Sequence, residues 1–239
     1  MSDQLNSNRF LLAYNSIDRF MRDKLKQDDG VSHSHIIDLM AKSSSIIRRY
    51  KSELEQYAKL RNAIVHNHYR DADPIAEPHE IIVSDYERIA SVLLNPPRAL
   101  DKIAVKNILT AKPSDHVFEV MKDMNEKNIT HVPIIHEDKM IGIFSESTIF
   151  FSFIDNQFVL FDEKTKMSEL KDVISIEYQK SDCFEFTESS ATVFDVEEIF
   201  KEGFKQDKRI AVVFITQRGN QNEKLLGLIT PWDLQKYSS

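Results

Sequence analysis

A short pattern that occurs twice constrains the fold of this 239-residue chain more than any other feature. The segment IGIFS at 141–145 is matched by LGLIT at 226–230, so the two copies lie 85 residues apart, from 141 to 226. In both copies a helical segment and an alternating apolar segment precede the pattern, and another helical segment follows it. A fixed internal period indicates duplication of one structural unit. We therefore predict two copies of a βαββα unit.

The predicted elements have the same order in the two copies. In the first copy we predict a short strand, a helix, two strands joined by a turn, and a second helix, at 106–110, 116–126, 130–135, 140–144 and 145–154. In the second copy the corresponding elements are 184–186, 192–204, 209–216, 225–229 and 231–237. Alternating apolar residues favour the strands, and apolar spacings of three and four favour the helices.

Each copy closes on a sequence signature. In the second copy, Gly227, two apolar residues, Thr230, two further residues and Asp233 resemble the closing motif of the CBS domain, and paired CBS domains form a Bateman module. The first copy keeps the glycine and Ser145 but has Thr148 where the family usually has Asp. The resemblance covers about residues 98 to 239.

The resemblance implies an adenine nucleotide site at the second copy. Asp233 can accept two hydrogen bonds from a ribose diol, and Thr230 can reach the ribose or a phosphate at the start of the last helix, where free N–H groups favour anions. Ala211 belongs to a strand that would wall an apolar slot for the purine, and Lys208 or Arg209 could neutralise phosphate. AMP, ADP, ATP and a cyclic dinucleotide such as cyclic di-AMP are all candidates.

A weaker second nucleotide site is predicted at Ser145 and Thr148. Thr148 has no carboxylate, so this copy lacks the group that would bind the ribose. The alternative for the second copy is that Thr230 only caps the helix and Asp233 only favours its first turn, both of which occur without a ligand.

The N-terminal part has a different, helical pattern. Apolar residues at helical spacing predict helices over 6–26, 34–66 and 79–94, with a loop over 71–79. Asn95-Pro96-Pro97 ends the last of these, because proline cannot continue a helix. The chain is thus predicted to be α plus α/β, with an all-α domain at 1–97 and two repeats at 98–160 and 161–239.

The sequence RNAIVHNHY at 61–69 concentrates groups suited to phosphodiester chemistry. Arginine fits phosphate, and histidine transfers protons near neutral pH. On a straight helix Arg61 and His66 lie about 140° apart, so a working site needs the helix to end near His66 or a second copy of the chain to complete it. The alternative is that Arg61 is a solvated surface arginine and His66 is a histidine with a structural role only.

This motif resembles that of the HEPN superfamily, whose active members carry Arg, a polar residue and, after four to six intervening residues, His. Arg61, Asn62 and His66 fit that pattern as catalytic residues. Tyr69 stands three residues after His66, where many relatives place Tyr two residues after it, and His68 is interposed; both are predicted accessory residues. The resemblance implies a homodimeric, all-helical endoribonuclease that cuts single-stranded RNA without a metal or other cofactor.

Three functions remain open at this point. In the first, nucleotide binding to the CBS pair regulates the ribonuclease. In the second, the chain is a non-catalytic sensor or adaptor whose helical domain binds RNA or a protein. In the third, the ribonuclease is a toxin neutralised by an antitoxin-like partner protein. Whether the chain is an enzyme is therefore left open.

Composition limits the kinds of partner and compartment that the sequence predicts. The net charge of −7 argues against a general nucleic-acid coat, so RNA contact would be confined to the basic segment around Arg61. The single cysteine, Cys183, excludes an internal disulfide and fits a reducing compartment. The histidine pairs HSH and HNH lack thiolate partners, so no metal site is predicted. The polar start and the absence of a long apolar run predict a cytoplasmic protein with no membrane contact.

Overall fold

The structure is a computed structural model that describes residues 5–28, 30–66, 68–69, 73–74, 76–154, 162–176 and 182–238, without the side chains of 66, 68, 69, 73, 74, 151–154 and 238. The chain divides into two compact units, Met1–Pro97 and Arg98–Ser239. The first is almost entirely helical and the second combines helices with small sheets. In the described part of the chain, no helix is long and apolar enough to cross a membrane.

The described part of the first unit contains five helices and a very short hairpin. The helices are α1 Asn6–Leu25, α2 His33–Ser43, α3 Ser45–Arg49, α4 Lys51–His66 and α5 Glu80–Leu94. The hairpin pairs β1 His68–Tyr69 with β2 Asp73–Pro74 in antiparallel fashion. The predicted helical character of this region agrees with the structure.

Aromatic side chains fill the centre of this unit. Phe10 on α1 lies 4.9 Å from Tyr86 on α5 between ring centroids, and Tyr57 on α4 lies 4.5 Å from Tyr86. Phe10 and Tyr86 are completely buried. Arg9 bridges α1 and α5 by ion pairs of 2.7 Å to Glu80 and 2.6 Å to Glu87. The apolar stripes of three helices thus meet in one core.

The single long helix predicted over 34–66 is wrong. The structure interrupts it twice, at Ser44 and at Tyr50, and so forms α2, α3 and α4. Ser44 has an extended backbone (φ −120°, ψ 113°), and its side chain accepts a hydrogen bond of 3.4 Å from the N–H of Ile47. Serine satisfies free N–H groups at a helix start, which competes with continuing the preceding helix. The predicted loop after His66 also differs, because it contains β2.

The first repeat of the second unit is built around a hairpin. Its elements are α6 Ala99–Lys102, α7 Val117–Lys127, β3 His131–His136, β4 Lys139–Ser145 and α8 Glu146–Ile154. A 3₁₀ turn Met167–Leu170 and α9 Lys171–Ile174 follow, in the segment predicted to open the second repeat. Strands β3 and β4 are antiparallel, and Glu137 and Asp138 between them have positive φ angles of 49° and 62°, as tight hairpin turns require. The predicted strand at 106–110 is wrong; nearby, Ala111 forms an isolated parallel bridge to Ile134.

The second repeat contains a three-stranded sheet. Its elements are β5 Cys183–Glu188, α10 Val193–Lys205, β6 Ile210–Thr216, β7 Gly227–Ile229 and α11 Pro231–Ser238. Strand β6 lies in the middle, parallel to β5 and antiparallel to β7. Met140 and Ile143 of the first repeat share a buried cluster with Val212 and Phe214 of the second. This common core joins the two repeats into one unit.

The glycine of the repeated pattern is required by close packing. A Cβ added at Gly142 would lie 2.5 Å from the backbone oxygen of Ile174. A Cβ at Gly227 would lie 3.1 Å from the side chains of Ala104 and Leu100. A side chain at either position would therefore collide with the short helical segment that packs across the strand.

Candidate functional site

The start of α11 carries a small hydrogen-bonded box. The backbone N–H of Thr230 donates to Oδ2 of Asp233 over 2.8 Å, and the Thr230 hydroxyl donates to the same oxygen over 2.7 Å. Both residues are half-buried. The two bonds use only Oδ2 and fix the orientation of the carboxylate, so its other oxygen, Oδ1, is left for another partner.

This box lines a cavity of about 550 Å³ within the second unit. Strands and loops of both repeats form its walls. The lining residues are Val105, Asn107, Ile108, Leu109, Asn128, Ile129, Thr130, His131, Val212, Leu228, Thr230, Trp232, Asp233 and Lys236. Seven of these fourteen residues are apolar or aromatic and seven are polar or charged, and small-molecule sites combine apolar walls with polar groups that orient the ligand.

The charged and aromatic groups of the cavity come mainly from α11. Trp232, the only tryptophan of the chain, is 71% exposed. Lys236 follows Trp232 and Asp233 by one helical turn, so the three side chains project from the same part of α11. Here a carboxylate, an ammonium group and an indole ring border one cavity.

Three of the predicted binding residues do not line this cavity in the structure. Arg209 is 80% exposed, and its Nε lies 3.4 Å from Oδ1 of Asp182. Lys208 is exposed just before β6, and Ala211 packs on the core cluster that the two repeats share. The strand instead contributes Val212 to the cavity. Val212 is itself a member of the core cluster against which Ala211 packs.

In the first repeat the corresponding pair is closed. The hydroxyls of Ser145 and Thr148 lie 3.0 Å apart, and each hydroxyl oxygen accepts a hydrogen bond of 3.2 Å from the other residue's backbone N–H. Ser145 is 1% exposed and Thr148 is 2% exposed. The structure brings these two predicted residues together, but they bond to each other and are shielded from solvent.

A buried carboxylate beside the cavity was not found from the sequence. Asp182 is 3% exposed, accepts a hydrogen bond of 2.9 Å from the Ser147 hydroxyl, and lies 3.3 Å from Nε2 of His131. His131 also lines the cavity. Because Asp182 and His131 belong to different repeats and to no local motif, only the three-dimensional arrangement reveals the pair.

In the first unit, the structure describes part of the Arg61 motif. Nη1 of Arg61 donates to Oδ1 of Asn62 over 3.2 Å, and Cζ of Arg61 lies 5.4 Å from the ring centroid of Tyr14. Helix α4 ends at His66. The side chains of His66, His68 and Tyr69 lie outside the described residues, so their predicted roles are untested.

Metal ligands were also considered. Among the residues described, no group of three or more His, Cys, Asp or Glu side chains is placed to hold a metal ion.

Part of the second unit matches a known family model. Residues 100–155 match the model of the CBS domain. The matched segment contributes eight residues to the cavity: Val105, Asn107, Ile108, Leu109, Asn128, Ile129, Thr130 and His131. A search of curated proteins found no match.

Solved structures with CBS domains are also similar to this chain. An uncharacterized conserved protein from Pyrococcus horikoshii is 19% identical, with 59% of this chain and 92% of that chain covered and a TM-score of 0.42. The CBS domain pair of MJ0100, in complex with 5-methylthioadenosine and S-adenosyl-L-methionine, is 20% identical, covering 58% and 93%, with a TM-score of 0.40. CBSX2 in complex with AMP is 16% identical, covering 59% and 96%, with a TM-score of 0.41.

Proposed function

We propose that the second unit is a tandem CBS regulatory module that binds an adenine nucleotide in the cavity at the start of α11. One observation supports this above all. The Thr230–Asp233 box and eight residues of the segment that matches the CBS model line the same cavity, although the two are more than 70 residues apart in sequence. A volume of about 550 Å³ is within the range of cavities that hold small ligands.

Each wall of the cavity suits one part of such a ligand. Oδ1 of Asp233 accepts hydrogen bonds from the ribose diol, while Oδ2 is held by Thr230. Val212 and Leu228 offer apolar surface to the purine, and Trp232 can stack on it. The ammonium group of Lys236 takes the phosphate charge. AMP, ADP and ATP present this diol, whereas cyclic di-AMP offers Asp233 only a 2'-hydroxyl because its 3'-oxygens are esterified. Lys208 and Arg209 remain candidates for longer phosphate chains.

Calorimetry with AMP, ATP and cyclic di-AMP tests this proposal. Asp233→Ala is expected to lower the affinity for the bound nucleotide by at least tenfold, because it removes the ribose acceptor. The matched control is Asp195→Ala, since Asp195 forms the same box with Thr192, with bonds of 2.8 Å, at the start of α10. Equal affinity in wild type and Asp233→Ala, or no binding of any of the three nucleotides, contradicts the proposal.

A second proposal concerns the first unit: a homodimeric, metal-independent endoribonuclease of the HEPN type, regulated by the CBS module. Helix α4 extends through His66, so Arg61 and His66 lie about 140° apart on one helix, and in this proposal a second copy of the chain completes the site. Arg61 would stabilise the phosphorane-like charge, Asn62 would orient the substrate, and His66 would transfer a proton, with His68 and Tyr69 as accessory groups. The expected product carries a 2',3'-cyclic phosphate.

The rival to this second proposal is a non-catalytic adaptor whose helical unit binds RNA or a protein partner. The net charge of −7 favours it, because strong RNA binding rests on positive charge. An antitoxin-like partner would be compatible with either function.

One assay separates the enzyme from the adaptor. Full-length protein is incubated with single-stranded RNA in EDTA, with and without adenine nucleotides, beside Arg61→Ala and His66→Ala. The ribonuclease predicts cleavage that both substitutions abolish. Cleavage absent under every nucleotide condition supports the adaptor instead.

A further inference from the structure

The helical unit contains a histidine–aspartate pair outside the Arg61 motif. His33, the first residue of α2, places Nδ1 2.6 Å from Oδ1 of Asp18 on α1. The other oxygen of Asp18 accepts a hydrogen bond of 2.7 Å from Nε of Arg22. The His33 side chain is only 8% exposed. Asp18 is thus held from two sides and fixes the orientation of the imidazole ring.

The second ring nitrogen of His33 is unusual. Nε2 is buried and has no hydrogen-bond partner among the described residues. Buried polar atoms in folded proteins are nearly always satisfied, so an exception needs an explanation such as a catalytic role. Burial lowers the pKa of His33 more than the hydrogen bond from Asp18 raises it, and the charges of Arg22 and Arg61 lower that pKa further.

A depressed pKa defines the protonation of the ring. His33 is neutral at pH 7, the proton on Nδ1 is donated to Asp18, and Nε2 carries a lone pair. Burial tends to raise the pKa of Asp18, but the hydrogen bonds from Arg22 and His33 outweigh it and the pKa of Asp18 is lowered. The pair is therefore an imidazole base supported by an ionised carboxylate.

This base is held next to Arg61 by an aromatic ring. The ring of Tyr14 lies 4.4 Å from the ring of His33, centroid to centroid, and 5.4 Å from Cζ of Arg61. Tyr14 is itself buried, at 7% exposure. A lone pair that accepts protons and a cation that binds phosphate therefore rest on one rigid support.

We infer that His33 is the proton acceptor for RNA cleavage in the helical unit, an assignment that rests on the proposed ribonuclease function. Arg61 binds the scissile phosphate and Nε2 of His33 takes the proton of the adjacent ribose 2'-hydroxyl. The 2'-oxygen then bonds to phosphorus, the bond from phosphorus to the 5'-oxygen breaks, and the leaving 5'-oxygen takes a proton from water. The products are a 2',3'-cyclic phosphate and a 5'-hydroxyl. Asp18 is a positioning residue that stabilises the imidazolium.

Access to the base is part of the inference. Because Nε2 has no solvent contact, the substrate hydroxyl reaches it only after a neighbouring side chain moves. Arg61 is half-buried, and its guanidinium lies over the ring of Tyr14, which also contacts the ring of His33. The inference therefore requires that binding of a phosphate at Arg61 uncover Nε2 of His33.

The test is cleavage of single-stranded RNA in EDTA by the full-length protein between pH 5 and 8. His33→Gln is expected to lower kcat by about 10²- to 10⁴-fold with little change in KM, which is the usual contribution of a general base. His35→Gln is the matched control, because His35 lies on the same helix but is exposed. Circular dichroism of each variant checks the fold.

The pH profile separates a chemical role from a structural one. His33 must be neutral to act, so kcat/KM of the wild type falls on the acid side at a pH below about 6.5, the ordinary histidine value. Asp18→Asn removes the negative charge that raises the pKa of His33, so its acid limb moves to lower pH and its kcat falls. The charged and titratable neighbours from each helix packed on His33 are Tyr14, Asp18 and Arg22 on α1 and Arg61 on α4.

Three results would overturn the inference. If wild type cleaves RNA and Arg61→Ala does not, but His33→Gln retains full activity, His33 is not the base while the ribonuclease stands. If His33→Gln fails to fold, Asp18→Asn replaces it in the test. An acid limb of kcat/KM at the same pH in Asp18→Asn as in the wild type then shows that His33 is not the base. If the wild type cleaves no RNA under any nucleotide condition, the ribonuclease and the assignment of His33 both fail.

Discussion

The two repeats of the second unit form the same four-residue box at the start of the final helix of each repeat and use it differently. In the first repeat the hydroxyls of Ser145 and Thr148 bond to each other, and both residues are at most 2% exposed. In the second repeat Thr230 donates two hydrogen bonds to Asp233, which is half-buried at the edge of a cavity. The same backbone arrangement is sealed in one copy and open in the other.

The third residue of the box is also bonded within the fold in the first repeat and exposed in the second. Ser147 in the first repeat donates its hydroxyl proton to the buried carboxylate of Asp182. Trp232 in the second repeat is 71% exposed beside the cavity. A small hydroxyl can be satisfied within the fold, whereas a carboxylate oxygen and an exposed indole ring offer surface to a ligand. The pattern itself therefore specifies a helix start, and in the proposed function its third and fourth residues decide which repeat binds the nucleotide.

The largest expected difference between the repeats concerns their glycines. Gly142→Ala is expected to lower the free energy of unfolding by about 2–3 kcal/mol, because its Cβ would overlap the backbone oxygen of Ile174. Gly227→Ala is expected to cost less, about 1 kcal/mol, because its Cβ would lie 3.1 Å from Leu100 and Ala104, so that these neighbours need move only slightly. Urea unfolding of both variants measures the difference.

A matched control sets the scale for the glycine comparison. Gly30 has only a side-chain oxygen within reach of an added Cβ, at 3.3 Å, so Gly30→Ala should change stability far less than Gly142→Ala. An equal loss in the free energy of unfolding for Gly142→Ala and Gly227→Ala would mean that the segments packed against the two glycines move aside equally easily.

Local sequence patterns predicted the repeated elements well and failed where structure depends on distant partners. Strand β3 was predicted at 130–135 and spans His131–His136, because alternation and the following turn are local signals. The predicted strand at 106–110 did not form, because flanking residues bridge to distant strands, Val105 to Leu228 and Ala111 to Ile134. The break at Ser44 depends on one capping hydrogen bond that periodicity does not register.

The candidate site was predictable to a similar extent. Thr230 and Asp233 could be proposed from the sequence because they belong to one contiguous signature at a helix start. The opposite wall, including His131, could not, because its residues lie about 100 positions earlier and are assembled by the fold. The His33–Asp18 pair was missed for the same reason, since it joins two helices and forms no local motif.

Removal of the fourth side chain of each box should have a moderate effect on stability. Thr148→Ala is expected to cost about 1–2 kcal/mol, because it leaves the buried Ser145 N–H without its acceptor. Asp233→Ala should cost about 1 kcal/mol, because water can reach the half-buried Thr230. Thermal unfolding measures both.

The effect of a nucleotide on the melting temperature distinguishes Thr148→Ala from Asp233→Ala. A nucleotide that binds only the folded protein raises its melting temperature. Adding nucleotide should therefore raise the melting temperature of Thr148→Ala as much as that of the wild type, and that of Asp233→Ala much less. Loss of the nucleotide effect in Thr148→Ala would show that the first repeat takes part in binding.

Substitution of Trp232 should have the smallest effect on folding. Its side chain is 71% exposed, so Trp232→Ala is expected to change the free energy of unfolding by less than about 0.5 kcal/mol. Nucleotide affinity should nevertheless fall about tenfold, because stacking between a base and an aromatic ring contributes about 1–3 kcal/mol. Phe204→Ala is the control, because Phe204 is 85% exposed on α10 and does not line the cavity. As the only tryptophan, Trp232 also reports binding by its fluorescence, and emission unchanged by a nucleotide that calorimetry shows to bind would place that ligand away from α11.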